Sequence, residues 1–216
     1  MSDWPDSQSL PAHFRLYVRQ TSVQLIGAFF VATVAIRLVV AQWSIHDLIG
    51  PLVVLAVEPF TEWIIHVFIL HWKPKTVSGR VIDPAVSRKH RAHHAEPRDL
   101  DLVLVPISFL LKALTLAAVI GFGIAFIRPA AITTLAAGYL MLLTYEWTHF
   151  LIHSKYRPRH AYYRLIWRHH RNHHFRNEHY WFGVTVDLGD RVLRTAPERD
   201  AVPLSATAKT LNAGLD

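Results

Sequence analysis

The chain has 216 residues, 51% of them hydrophobic, a mean hydropathy of +0.20 and a formal net charge of +7 with histidine neutral. That length suits one domain and hardly two, and the composition is apolar for a soluble one. Cysteine is absent, which excludes disulfides, cysteine-ligated zinc, iron–sulfur clusters and haem–thiolate chemistry, and no nucleic-acid motif accompanies the positive charge.

Residues 1–20, "MSDWPDSQSLPAHFRLYVRQ", are too acidic for the start of a signal peptide and read as a cytoplasmic tail. Four windows then reach the roughly 20 apolar residues that a membrane-crossing helix needs. They are Val23–Trp43, Pro51–His71, Leu102–Ile127 and Ala130–Ile152. The short connections 44–50 and 128–129 predict two helical hairpins. The loop Trp72–Asp101 carries Lys73, Lys75, Arg80, Arg88, Lys89, Arg91 and Arg98, and the stretch after His153 is richer still, whereas the opposite side has only Arg128. The positive-inside rule therefore places both termini and the central loop in the cytoplasm. Arginine outnumbers lysine and alanine is abundant, which fits a GC-rich bacterial source and hence an inner membrane. The expected fold is an all-α integral membrane protein, with a membrane-embedded domain at 21–195 and a flexible tail at 196–216.

The spans carry ionisable groups. Arg37 and Lys112 either snorkel or face a neighbouring helix. Glu58, Glu62 and His66 lie in the second span, and Glu146 and His149 in the fourth. Such groups at membrane depth mark a functional site by default.

Ten of the fifteen histidines form four groups: His66 and His71; His90, His93 and His94; His149 and His153; His170, His173 and His174. The halves overlay. His66 maps to His149 at 83 residues, His71 to His153 at 82, and each triplet member to its counterpart at 80. That is the pattern of a parallel internal repeat, which can hold a site between its halves. In each H-x2-HH group all three rings share one broad face of a helix, but the adjacent pair diverges by about 100°, so its two rings can reach different metals. His149 and His153 lie one turn apart; His66 and His71 lie about 140° apart on an ideal helix, with Pro74 close behind. Ten imidazoles suit two metals with about five ligands each, and imidazole takes zinc, copper, iron or nickel. The surrounding cations suit lipid phosphates or an acidic electron donor. His13, His46 and His160 are isolated and read as surface or packing residues. His169 points away from His170 and reads as supporting or solvated, and His179 is a substitute ligand at best.

These boxes resemble the fatty acid hydroxylase/sterol desaturase superfamily over about residues 50–195. "HRAHHAEPRDLDLVLVP" resembles the second box of fatty acid 2-hydroxylases, "YEWTHFLIH" the third and "HRNHHF" the fourth. "FGVTVDLGDRVLRT" is similar to the closing GVT…WD…GT stretch, with Gly189 where the family has Trp and Arg194 where it has Gly. The resemblance implies four membrane helices under a cytoplasmic helical cap that carries the histidine boxes. It implies two iron ions, with zinc as a substitute in purified protein, held by His66, His71, His90, His93, His94, His149, His153, His170, His173 and His174. It also implies O2-dependent hydroxylation of a lipid C–H bond, on a fatty acyl chain by the look of the second and third boxes. Glu62 and Glu146, one turn before His66 and His149, are expected to hold those rings from behind. The N-terminal stretch leaves no room for a fused haem–cytochrome donor, so a separate ferredoxin or cytochrome with its reductase is expected. The same metal core can serve a sterol or carotenoid hydroxylase or desaturase. A histidine-rich membrane metal transporter is the alternative from another class.

Overall fold

The computed structural model describes residues 4–5 and 8–211. It is mostly helical. A short helix α1 (Leu10–Tyr17) leads into α2 (Thr21–Val40), which ends where Ala41 turns left-handed at φ 49°. Then α3 (His46–Ile64) runs on without a break into a π-helical turn, Ile65–Leu70. A small antiparallel hairpin, β1 (Lys75–Val77) and β2 (Arg80–Ile82), follows. Next come α4 (Ala85–Ala95), α5 (Leu100–Val103), α6 (Ile107–Ala125), α7 (Ala130–His153), α8 (Ala161–Phe175) and α9 (Leu188–Val192). Pro84, Pro106 and Pro129 immediately precede α4, α6 and α7, where a residue without a backbone N–H leaves no bond unmade.

The hairpin departs from the all-helical expectation. Its two-residue turn, Ser78–Gly79, has φ of 50° and 76°, the doubly left-handed geometry that matches strand twist.

Among the described residues, three helical stretches are long and apolar enough to cross a membrane: Thr21–Val40, His46–Leu70 and Leu100–Ala125. Their outward surfaces are apolar, with Val39, Leu52, Leu55, Leu116 and Val119 all well exposed. The fourth expected span is the 24-residue α7, which is not among them. Helix α7 packs against α2, α3 and α6. Its surface is turned toward protein, so it carries Tyr139, Glu146, His149 and His153 where a lipid-facing helix would carry aliphatic residues.

Polar pins fix these helices. Arg37 is 3% exposed and pairs with Asp47 at 2.7 Å, while its Nε also donates to Thr133, tying α2, α3 and α7 together at one end. It faces its neighbours, whereas Lys112 stays exposed on α6. Gly50 lets α3 approach α7, since a Cβ there would lie 1.9 Å from Thr134 Oγ1.

Residues near both ends of the described chain make contacts with the helices. Tyr17 donates to the Leu143 carbonyl at 2.7 Å, the Trp4 indole donates to the Arg98 carbonyl at 2.6 Å, and His13 is fully buried. Beyond residue 196, Val202, Ala208 and Leu211 are buried, and Ser205 N–H donates to the Arg176 carbonyl at 2.7 Å. Polarity and position alone suggest tails, but a few apolar anchors and backbone bonds suffice to tie such segments to the body. Residues 1–3, 6–7 and 212–216 of those tails lie outside the described part.

Candidate metal centre

The centre forms where the π turn after α3 and the last turns of α7 meet α4 and α8. The ten histidines gather into two sets of five, one of His66, His71, His90, His94 and His173, the other of His93, His149, His153, His170 and His174. Within each set the candidate ligand atoms lie within 4.8 Å of one another.

The sets interleave. Each takes the histidine pair of one half together with the first and last members of that half's triplet. The middle member crosses over: His93 of α4 joins the α7–α8 set, and His173 of α8 joins the α3–α4 set. Positions i and i+4 point nearly the same way from a helix, and the member between them diverges by about 100° from its neighbour. One triplet therefore serves two centres, and two triplets facing each other exchange one ring each.

The π turn solves the His66–His71 spacing. His71 N–H donates to the His66 carbonyl at 3.0 Å, an i→i+5 bond that brings residues five apart onto one side. Their ring centroids are 5.0 Å apart. The extra residue in the first half, visible as the offset of 83 against 82, is absorbed in that turn. His149 and His153 need no such device inside regular α7, and their rings are 4.7 Å apart.

The nitrogens suit shared ions. Nε2 of His66 faces Nε2 of His90 at 3.2 Å, and the same distance separates His71 from His173, His173 from His94, and His93 from His153. His170 and His174 stand 3.0 Å apart. Two nitrogens bound at right angles to one ion at about 2.1 Å lie about 3 Å apart. His149 Nε2 is buried with no hydrogen-bond partner among the described residues, as a donor atom reserved for a metal would be. Burial pushes the imidazoles of His90, His93, His170, His173 and His174 well below their ordinary pKa, and that of His94 down to about 3. They are neutral at pH 7, with a lone pair to give.

Backbone carbonyls brace the rings from behind. Nδ1 of His66 donates to Phe182 O at 2.6 Å, that of His173 to Tyr180 O at 2.8 Å, and that of His94 to Ala208 O at 2.8 Å. These bonds fix the tautomer so that Nε2 faces the centre. All three rings belong to the first set. In the second set, Nδ1 of His93, His170 and His174 has no partner among the described residues.

The carboxylates expected behind His66 and His149 have other work. Glu62 accepts from the backbone N–H of Val184 and of Thr185 and from the Thr185 hydroxyl, and Glu58 shares that hydroxyl at 2.8 Å. Glu146 accepts from Val105 N–H at 3.0 Å. Neither makes a hydrogen bond to a histidine ring among the described residues. Both hold the backbone of segments that border the centre, because a short side chain one turn upstream reaches a neighbouring strand of chain before it reaches the ring.

Asp190, to which spacing alone assigns no role, ties together the segments beside the centre. Asp190 accepts from Phe182 N–H, Gly183 N–H and the Thr195 hydroxyl, and pairs with His169 Nε2 at 3.0 Å. Burial pushes its carboxyl up, but the bonds from His169, Thr195 and Gly183 outweigh that and hold it below its ordinary value. Gly189 sits under α3, where a Cβ would lie 2.4 Å from Pro59 O. Arg194 takes φ 59°, a left-handed conformation that suits the glycine the resemblance expects there. His13, His46, His160 and His179 lie outside both sets; His179 is 65% exposed beside Glu178.

The fatty acid hydroxylase family model matches residues 51–195, all ten histidines included. The chain belongs to the fatty acid hydroxylase family. Within this family it is 31% identical over 162 residues to a dihydroceramide fatty acyl 2-hydroxylase of Arabidopsis thaliana, covering 71% of this chain and 63% of that one. It is 30% identical over 150 residues to fatty acid 2-hydroxylase of Mus musculus, covering 67% and 38%. The chain thus spans less than two thirds of the length of these relatives. The fold is similar to the hydroxylase domain of full-length Scs7p, with a TM-score of 0.60 and 22% identity over 84% of this chain and 66% of that one.

Proposed function

We propose that this family member hydroxylates a lipid C–H bond at carbon 2 of a fatty acyl chain. The observation that carries this is the pair of interleaved five-histidine sets, which suit two ions side by side at the end of the apolar helices. The family and the 2-hydroxylase relatives support the reaction class and the lipid. The ten histidines of the two sets would hold two iron ions, with zinc as a substitute in purified protein.

Bound iron supplies the activation of O2. In the overall balance, O2, two electrons and two protons convert a C–H into a C–OH with release of one water. The chain's own contribution is positional. Neutral imidazoles add ligands without adding charge. The carbonyls of Phe182, Tyr180 and Ala208 hold three rings in place. Packing of α4 and α8 over the helix ends keeps water from the rings, nine of which are buried.

The wider arrangement follows the charge pattern and the resemblance. Helix α7 acts as a fourth span, the helices form two hairpins, and α4, α8 and the closing stretch form a cytoplasmic cap on a bacterial inner membrane. Electrons come from a separate ferredoxin or cytochrome, drawn by the basic surface. Iron per chain, measured in gently purified protein, should be about two, one for each set. In His93→Ala it should fall to about one, and the 2-hydroxyl acyl lipid made by expressing cells should vanish. Unchanged iron and product in that variant would remove these sets from the chemistry.

A further inference from the structure

Helix α8 turns His170, His173 and His174 toward the ends of α3 and α7. Helical spacing sets Arg164, Arg168 and Phe175 about 120° to 160° around the axis from His170, on the side away from the apolar spans. All three are exposed there. Arg171 lies at the edge of this face, its guanidinium over the Trp167 ring at 4.6 Å and over the Phe175 ring at 4.9 Å. Arg98, from the segment after α4, is close enough to act on the charge of Arg171. None of these four arginines forms an ion pair among the described residues. An exposed aromatic ring framed by unpaired arginines has the composition of an interface core, and the charge calls for an acidic partner.

The same ring borders the metal centre. Phe175 is 41% exposed, and its ring centroid lies 6.2 Å from that of His174, a member of the second set. His174 is fully buried and stacks on His94 of the first set, with centroids 4.1 Å apart and planes 30° apart. A redox carrier resting on Phe175 is therefore one ring contact from the second set and two from the first. An anionic membrane surface would also meet the charge, but it lies on the side of the spans, from which this face is turned away.

We propose that this face of α8 is the electron-entry site: an acidic one-electron carrier docks on Arg164, Arg168 and Arg171 around Phe175 and delivers its electrons beside His174. Each reduced carrier leaves oxidised by one electron as one ferric ion becomes ferrous, and two encounters supply the two electrons of the reaction. This rests on the reading of the chain as an oxygenase with a separate donor. The test uses the iron-loaded full chain in phosphatidylcholine nanodiscs, with a reduced acidic [2Fe–2S] ferredoxin as the probe. Binding and anaerobic ferric reduction are followed at about 0.1 M salt, where charges beyond about 10 Å are screened. Arg164→Glu with Arg168→Glu should slow reduction by about tenfold through slower association, whereas the charge-matched Lys75→Glu with Arg80→Glu on the β-hairpin should change it by less than about twofold. Phe175→Ala should weaken ferredoxin binding by about tenfold through faster dissociation. Iron per chain should match wild type in all three, and a variant short of iron is scored by binding, which does not need the metal. The proposal is overturned if wild type binds no ferredoxin, if the hairpin variant loses as much as the α8 variant, or if the α8 variant matches wild type. In that last case, enrichment of phosphatidylglycerol around wild type but not around the α8 variant assigns the arginines to the membrane surface. Lipids from cells expressing the wild type with the ferredoxin and its reductase are scored separately. If 2-hydroxyl acyl chains are present while the α8 variant matches wild type, only the docking face falls. If they are absent, the reaction falls and this inference with it.

Discussion

Asp190 joins four groups that the chain brings from three places: His169 on α8, the Phe182–Gly183 turn, and Thr195. Through Phe182 it acts on His66, whose Nδ1 donates to the Phe182 carbonyl. Asp190→Asn keeps the shape but sets an amide donor against the N–H of Gly183 or Phe182. With the side chain fully buried, the loss should be about 3 kcal/mol, read from thermal or denaturant unfolding. The sign with pH follows from the folded carboxyl lying below its ordinary 3.8. Its contribution is fully present above that value and is lost as pH falls below it and through the lower folded value, so acid should narrow the gap between wild type and Asp190→Asn. A gap that widens below pH 4 would contradict the assignment. Arg194 shows the opposite case at this scale, a bulky residue held left-handed at φ 59° where glycine would sit without strain.

Helices α4 and α8 present the same H-x2-HH triplet, and each lends its middle ring to the other's centre. That exchange couples the sets, because each counts one ring from the other half. The π turn at Ile65–Leu70 is where the two halves differ in length within a histidine group. Phe68 lies in it, is 59% exposed and sets its ring against Trp63. Its deletion should regularise the turn and leave the two histidines four apart, the spacing that His149 and His153 already use. Iron per chain should stay near the wild-type value. Deletion of Ala92, between His90 and His93, should strip it, because α4 has no extra residue to give up. Metal analysis of the two variants decides the point, and loss of iron in the Phe68 deletion would show that the π geometry itself is required.

At the scale of the whole molecule, residues 207–211 close one side of the site. The Ala208 carbonyl braces His94, Thr207 bonds Glu178, and Leu211 walls a cavity beside His71. A chain ending at residue 201 should still fold through its helical core, since α2, α3, α6 and α7 pack without the missing segment. It should hold iron more weakly, by about 10- to 100-fold in affinity, the usual cost of losing a brace behind a ligand. The first set should weaken before the second, because the brace lost belongs to His94. Chelator titration of the full and shortened chains measures this, and equal retention would show the segment to be irrelevant to the centre.

The sequence by itself determined three of its four expected apolar spans, the four histidine groups and their matched order. Each is a property of local spacing, and helical periodicity turns spacing into a shared face. It also held the hint that adjacent rings of a triplet diverge toward different centres. Only the tertiary structure decided which histidine joins which set and how the i+5 pair is brought together. It alone decided that Glu62 and Glu146 grip backbone rather than rings, and that residues 196–211 form part of the site. The reason is physical. The braces are carbonyls of Phe182, Tyr180 and Ala208, and every residue has a carbonyl, so their use leaves no mark in side-chain type. Partners more than a hundred residues apart meet only when the helices pack, and packing is what chooses among carbonyls that the sequence presents as equals.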